Sequence, residues 1–231
     1  MSATGNNAES ERRDSRAFEP ELIADPQQRA EAEARNGLRQ YDLGIQAVQT
    51  ALDRKSTKLR LSLILALHRE ALAGISVFAG NFRPAGVKIQ GSRHEPPGAH
   101  LVPGLVEELC DYVNDNWESA TPIHLAAYVM WRLNWIHPFA DGNGRTSRIL
   151  SYVVLSIRAG FVLPGTPTIP DQIVDNRTPY FEALDAADDA YSKDGIIDVS
   201  KMEELIGSLL ATQLAGFYRS AGGRLAETGT A

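Results

Sequence analysis

Apolar positions recur at helical spacing along most of this chain. Leu38, Tyr41, Ile45 and Val48 predict one helix from about Asp25 through Leu52. Leu61, Leu63, Leu65, Ala66 and Leu67 predict a second, largely buried, over Leu59 to Ala73. Between Gly74 and Gly98 the texture changes: Gly80, Pro84, Gly86, Gly91, Pro96 and Pro97 break any helix, while Val87-Lys88-Ile89-Gln90 alternates apolar and polar. That alternation reads as a short β-hairpin or flap. Helical pattern resumes over Leu101 to Asn114, and again from Pro122, with Thr121 as N-cap. Two apolar runs, Pro122 to Ile136 and Ile149 to Phe161, flank a polar loop. A further helical region covers Pro170 to Tyr191, split near Thr178-Pro179. Ser200-Lys201-Met202-Glu203 has capping-box spacing and opens a last helix to about Tyr218. The fold class is therefore mainly α: a single helical domain with a short β-hairpin flap, over residues 19–220. Residues 1–18 and 221–231 lack apolar periodicity and read as flexible tails.

Composition changes this picture little. A chain of 231 residues is long enough for one good core. The net charge of -6 argues against a general nucleic-acid partner. No apolar run reaches the roughly 18 residues of a membrane span, and no opening stretch has signal-peptide form. Cytoplasmic residence fits these features, a secreted effector being the alternative. The single cysteine, Cys110, allows no internal disulfide and reads as a small buried hydrophobe.

The chemistry concentrates in His137-Pro138-Phe139-Ala140-Asp141-Gly142-Asn143-Gly144-Arg145-Thr146-Ser147-Arg148. A helix start presents unpaired N–H groups and a partial positive charge, which favour an anion. Gly142 and Gly144 let the backbone approach such an anion, and Asn143 adds an amide donor. Arg145 and Arg148 lie three apart, so both are expected to reach a polyphosphate. Asp141 is a hard carboxylate suited to Mg²⁺. His137, with an intrinsic pKa of about 6.5, can take a proton from a hydroxyl at neutral pH.

This segment matches the Fic motif, His-x-Phe-x-Asp/Glu-Gly-Asn-Gly-Arg-x-x-Arg, at every specified position, so the chain resembles the Fic family. Ala79-Gly80 with Arg83, the flap-like Val87-Lys88-Ile89, Pro96-Pro97 and the Ile169-Pro170 to Leu184 segment fit the same pattern. The resemblance covers roughly residues 25–218. It implies transfer of AMP from ATP to a Ser, Thr or Tyr hydroxyl of a target protein, with release of pyrophosphate. It gives His137 the role of base and Asp141 that of Mg²⁺ ligand between the α- and β-phosphates. Gly142, Asn143 and Gly144 then form the anion hole, Arg145 serves the phosphates, and Arg148 grips the γ-phosphate. Phe139 anchors the loop by packing, Val87, Lys88 and Ile89 dock the target peptide, and Tyr180 is the candidate to stack near adenine.

Many Fic proteins carry an inhibitory helix with Ser/Thr-x-x-x-Glu-Gly/Asn, whose glutamate pairs with the motif's second arginine. Glu33 is the nearest candidate here, with Arg29 and Ala34 where the motif wants other residues. Without an internal inhibitor, the enzyme is either constitutively active or restrained by a separate protein; self-association is left open. The loop grips phosphates without reading the base, so transfer of UMP or phosphocholine stays an alternative, as does a nucleotide-responsive binding module with little turnover. His68, His94, His100 and His124 lack zinc-ligand spacing and read as ordinary, as does a solvated face bearing Asp185, Asp188, Asp189 and Asp194.

Overall fold

A computed structural model describes residues 19–55 and 58–223. The expected tail over 1–18, and residues 224–231 of the expected C-terminal tail, lie outside the described residues. Among those described there are eight α-helices and no β-strand. They are α1 (Pro26–Arg54), α2 (Leu61–Leu72), α3 (Val102–Asp115), α4 (Pro122–Ile136), α5 (Asn143–Ala159), α6 (Ile169–Asp175), α7 (Thr178–Asp194) and α8 (Ser200–Ser220), with a 3-10 turn at Ala99–Leu101.

The centre is α4, apolar all round and so enclosed on all sides. Leu125, Tyr128, Met130, Trp131, Leu133 and Ile136 are all buried along it. Its start follows the sequence: Thr121 accepts the His124 N–H at 3.0 Å, and Pro122 stands in the first turn, where its missing N–H costs nothing. α3, α5, α7 and α8 pack around it, and α1 and α2 cover the other face of α5. Cys110 lies in this core, where burial pushes its thiol up to about 12.

Three expectations are corrected. First, of the apolar positions expected to face inward on α1, Val48 is buried and Tyr41 and Ile45 pack partly buried on the core. Leu38 is 70% exposed, and the rest of the buried stripe is Ala32, Asn36, Gln40 and Gly44. α1 approaches its neighbours too closely for large side chains. A Cβ on Gly44 would sit 3.1 Å from Ile149 Cγ1, and the amides of Asn36 and Gln40 donate to the carbonyls of Ala73 (2.8 Å) and Leu67 (3.1 Å) of α2 and its end. Hydrophobic periodicity cannot see a stripe made of small and amide residues.

Second, no hairpin forms between Gly74 and Gly98. Val87–Gln90 alternates only in sequence and forms no strand, and the expected returning arm carries Pro96 and Pro97, which lack the N–H a ladder needs. The segment instead hangs on Arg83, a guanidinium only 2% exposed. Its Nε donates to the His137 carbonyl (2.7 Å), Nη1 to Ala85 (2.9 Å) and Nη2 to Pro97. Third, Ser200 does not cap α8. Val199 takes the N-cap position with no side-chain bond, and the Ser200 N–H donates to Asp198 at 3.0 Å. The capping box is at α6, between Thr168 and Asp171.

Candidate active site

α4 ends at His137 because Pro138 cannot continue the helix. His137 caps it in the left-handed conformation, φ 51°, with its N–H on the Leu133 carbonyl at 2.9 Å. Such a backbone is uncommon for a non-glycine residue and persists where its surroundings over-determine it. Here they do: Arg83 bonds both the His137 carbonyl through its side chain and the Pro138 carbonyl through its N–H. The ring is 6% exposed, and its Nδ1–H points to the Asn134 carbonyl at 3.2 Å, making Nε2 the lone-pair nitrogen. Burial pulls its pKa down to about 4, so the imidazole is neutral at pH 7.

The loop turns on Phe139, fully buried between the rings of His68 (3.7 Å, nearly parallel) and Phe82 (6.0 Å). Asn143 closes it: Oδ1 accepts the Phe139 N–H and Nδ2 donates to the Phe139 carbonyl, both at 2.9 Å. The Asn143 side chain is thus committed to holding the loop, contrary to the expected anion donor; its backbone N–H stays in the first turn of α5. Gly142, φ 77°, caps the start of α5 where a Cβ would lie 2.5 Å from Leu72 Cδ2, so any side chain there is strained and must displace Leu72.

A cleft opens beside the loop. It is lined by His94, His137, Gly144, Arg148 and Arg177 together with Ile89, Phe181, Leu184 and Asp188. Burial lowers the Arg148 pKa from its ordinary value, while Tyr180, in contact with it, works the other way. Tyr180 lines the cleft, but its ring is 2% exposed and its hydroxyl accepts the Asn134 Nδ2–H at 2.9 Å, which anchors it and leaves little face to stack on. Of the three flap residues, Ile89 lines the cleft, Val87 is half-buried and Lys88 is exposed.

The two arginines, expected at one ligand, point differently here: Arg148 lines the cleft and Arg145 does not. Arg145 turns to α1, with Nη2 3.4 Å from Asp141 and Nη1 4.0 Å from Glu33. Arg29 completes a four-charge cluster, 3.6 Å from Asp141 and 3.2 Å from Glu33. Glu33 therefore faces the motif's first arginine, where the inhibitory pattern requires the second.

Sequence reasoning missed four residues of this site. His68 holds the loop from α2, its Nε2 3.0 Å from the Asp141 carbonyl. His94 lines the cleft with Nε2 on the Trp135 carbonyl at 2.7 Å. Asp188 lines it as well, accepting the Trp131 indole N–H at 2.9 Å, so the solvated-face reading fails there. Arg177 stands before Thr178-Pro179, a place known to start a helix but giving no sign of facing a cleft. His124 is structural, bonded to Glu203 at 2.7 Å.

The donor set around Asp141 is compatible with Mg²⁺. That ion uses one or two carboxylates and takes its remaining oxygens from phosphates and water. Asp141 offers one partly exposed carboxylate at a helix start. Among the described residues no group of three or more His, Cys, Asp or Glu forms a closed protein cage.

Residues 58–155, which hold α2 to the first three turns of α5 and the whole loop, match the Fic/DOC family. Over that segment the chain is similar to the Fic/DOC family. It is 34% identical to the protein adenylyltransferase Fic of Drosophila willistoni over 150 residues, 64% of this chain and 28% of that protein. The Drosophila virilis protein of the same name matches equally, over 29% of its length. The chain thus spans less than a third of these relatives. A Fic family protein from Desulfovibrio desulfuricans G20 shares the fold with TM-score 0.64 at 21% identity, over 89% of this chain and 57% of that one. A Fic domain protein from Bacteroides thetaiotaomicron does so with TM-score 0.65 at 22% identity, over 82% and 74%. These neighbours establish the helical frame around α4 and α5.

Proposed function

We propose that this chain is a protein adenylyltransferase, transferring AMP from ATP to a Ser, Thr or Tyr hydroxyl of a target protein. The observation that carries the proposal is His137, a neutral imidazole in the same cleft as Gly144, Arg148 and Arg177. The hydroxyl oxygen forms a bond to the α-phosphorus while the bond from that phosphorus to the pyrophosphate oxygen breaks. The hydroxyl proton passes to His137 Nε2, and pyrophosphate leaves. The Asn134 carbonyl holds the ring in the tautomer this needs and favours the imidazolium that forms. Arg148 and Arg177, with the N-terminal dipole of α5, stabilise the phosphate charge. Asp141 would hold Mg²⁺, which supplies neutralisation of the phosphate oxygens when bound. Ile89 would meet the target, and the apolar Phe181 and Leu184 would meet the base.

The relatives' name supports AMP as the transferred group, while Arg148 and Arg177 suit any nucleoside triphosphate. Incubation with α-labelled ATP, Mg²⁺ and cell lysate should label a protein or the enzyme itself, and His137→Ala should lose that label. Equal labelling by the variant sinks the mechanism, and labelling from UTP in preference to ATP moves the reading to uridylylation.

A further inference from the structure

His68 holds the loop from outside the motif through both of its ring nitrogens. It sits on the buried face of α2, 1% exposed. The Gly80 N–H donates to Nδ1 at 3.0 Å, so Nδ1 carries the lone pair and the proton is on Nε2. Nε2 in turn donates to the Asp141 carbonyl at 3.0 Å. The ring lies flat on Phe139, with centroids 3.7 Å apart and planes 5° apart. The loop packs directly against the same surface, since a Cβ on Gly142 would meet Leu72 and His68. Three segments therefore meet on one imidazole: α2, the start of the 80–98 segment, and the peptide that carries Asp141.

We propose that His68 is a positioning residue for the nucleotide–cation site, locking the Asp141 peptide to α2 and to Gly80 so that the Asp141 carboxylate and the Asn143 and Gly144 amides are presented in register. This rests on reading Asp141 as the divalent-cation ligand. The Asp141 carboxylate is tied only locally: its Oδ1 accepts the Gly142 N–H at 2.5 Å, and its Oδ2 meets part-exposed arginines at 3.4 and 3.6 Å. Its direction is set by its backbone, and the backbone is set by His68. Outer groups of this kind typically contribute about 10–100-fold to metal affinity when removed.

The test uses the full chain with His68→Phe, which keeps the stack on Phe139 and removes both hydrogen bonds, and His68→Gln, which can both donate and accept. Mn²⁺ affinity is read by electron paramagnetic resonance with a non-hydrolysable ATP analogue, analogue affinity alone by calorimetry in chelator, and folding by thermal melting. His68→Phe is expected to weaken Mn²⁺ by about tenfold or more, leaving the metal-free affinity nearly unchanged, and His68→Gln to restore much of the loss. Mn²⁺ affinity unchanged in His68→Phe, or metal and metal-free binding falling together with the melting temperature in both variants, overturns the proposal. Asp141→Ala separates the two readings. If it abolishes nucleotide-dependent Mn²⁺ binding and His68→Phe does not, only the role of His68 fails; if it leaves that binding intact, the cation assignment fails and this proposal with it.

Discussion

The two faces of the 137–148 loop are built in different ways. Toward the cleft, His137 is 6% exposed, and the ring it offers is fixed by the Asn134 carbonyl. Arg148 lies over Gly144, its Nη1 3.0 Å from where a Cβ would be. Toward α1, Asp141, Arg145, Arg29 and Glu33 form ion pairs at 3.2–4.0 Å, with side chains 21–39% exposed. Exposed pairs of this kind are worth about 0–1 kcal/mol each, whereas a buried polar group stripped of its partner costs about 1–3 kcal/mol. The cleft face is preorganised and the α1 face is adjustable. That is the arrangement expected if proton transfer belongs to the first face and the cation ligand Asp141 keeps exchangeable partners on the second.

The largest effect should follow removal of the base. His137→Ala should lower transfer by about 10²–10⁴-fold while ATP still shifts the melting temperature, as read by labelling and thermal shift in parallel. Next come the loop's internal ties. Asn143→Ala leaves the buried Phe139 N–H and carbonyl without their partner, and should cost about 2–4 kcal/mol by denaturant unfolding. Gly142→Ala should be comparably harmful, since φ 77° and the Leu72 side chain both oppose a Cβ. A wild-type unfolding curve for either variant would contradict the preorganised face.

The pH dependence separates the faces again. His68 and His137 are held near pKa 4 by burial, against 6.5 in the unfolded chain. Between those values the unfolded state binds more protons, so stability should fall as pH drops from about 6.5 toward 4. Each imidazole can contribute up to roughly 3 kcal/mol to that fall. Above pH 7 neither contributes any slope. Urea titrations at pH 7 and 4.5 measure this, and His68→Gln should remove part of the slope. The smallest effect belongs to the α1 face: Arg29→Ala or Glu33→Gln should change stability by no more than about 1 kcal/mol. A large increase in transfer from Glu33→Gln would instead make α1 a restraint on the loop.

The cleft face was the more legible in the sequence, because its geometry is written in backbone-determining residues. Thr121 and Pro122 start α4, Pro138 ends it, and glycines at 142 and 144 open α5. The α1 face was hidden. Its buried stripe is Asn36, Gln40 and Gly44, chosen for close approach and carbonyl bonding, while the apolar Leu38 points outward. The fates of Arg145 and Arg148 were equally hidden, since three-residue spacing says two side chains are neighbours but not which helix faces each. Asn143 was read as a ligand donor because nothing local reveals that both its amide atoms serve Phe139. The flap failed for the reverse reason. Alternation over Val87–Gln90 is a local signal, and a ladder needs a partner arm that Pro96 and Pro97 deny.

The central claim is that the neutral His137 takes the proton of a protein hydroxyl as AMP moves onto it. Mass spectrometry of lysate proteins, treated with ATP, Mg²⁺ and either wild-type chain or His137→Ala, tests it most directly. Peptides carrying one added AMP on Ser, Thr or Tyr are expected with the wild type and none with the variant. The same AMP-modified peptides at equal abundance in both samples would contradict it.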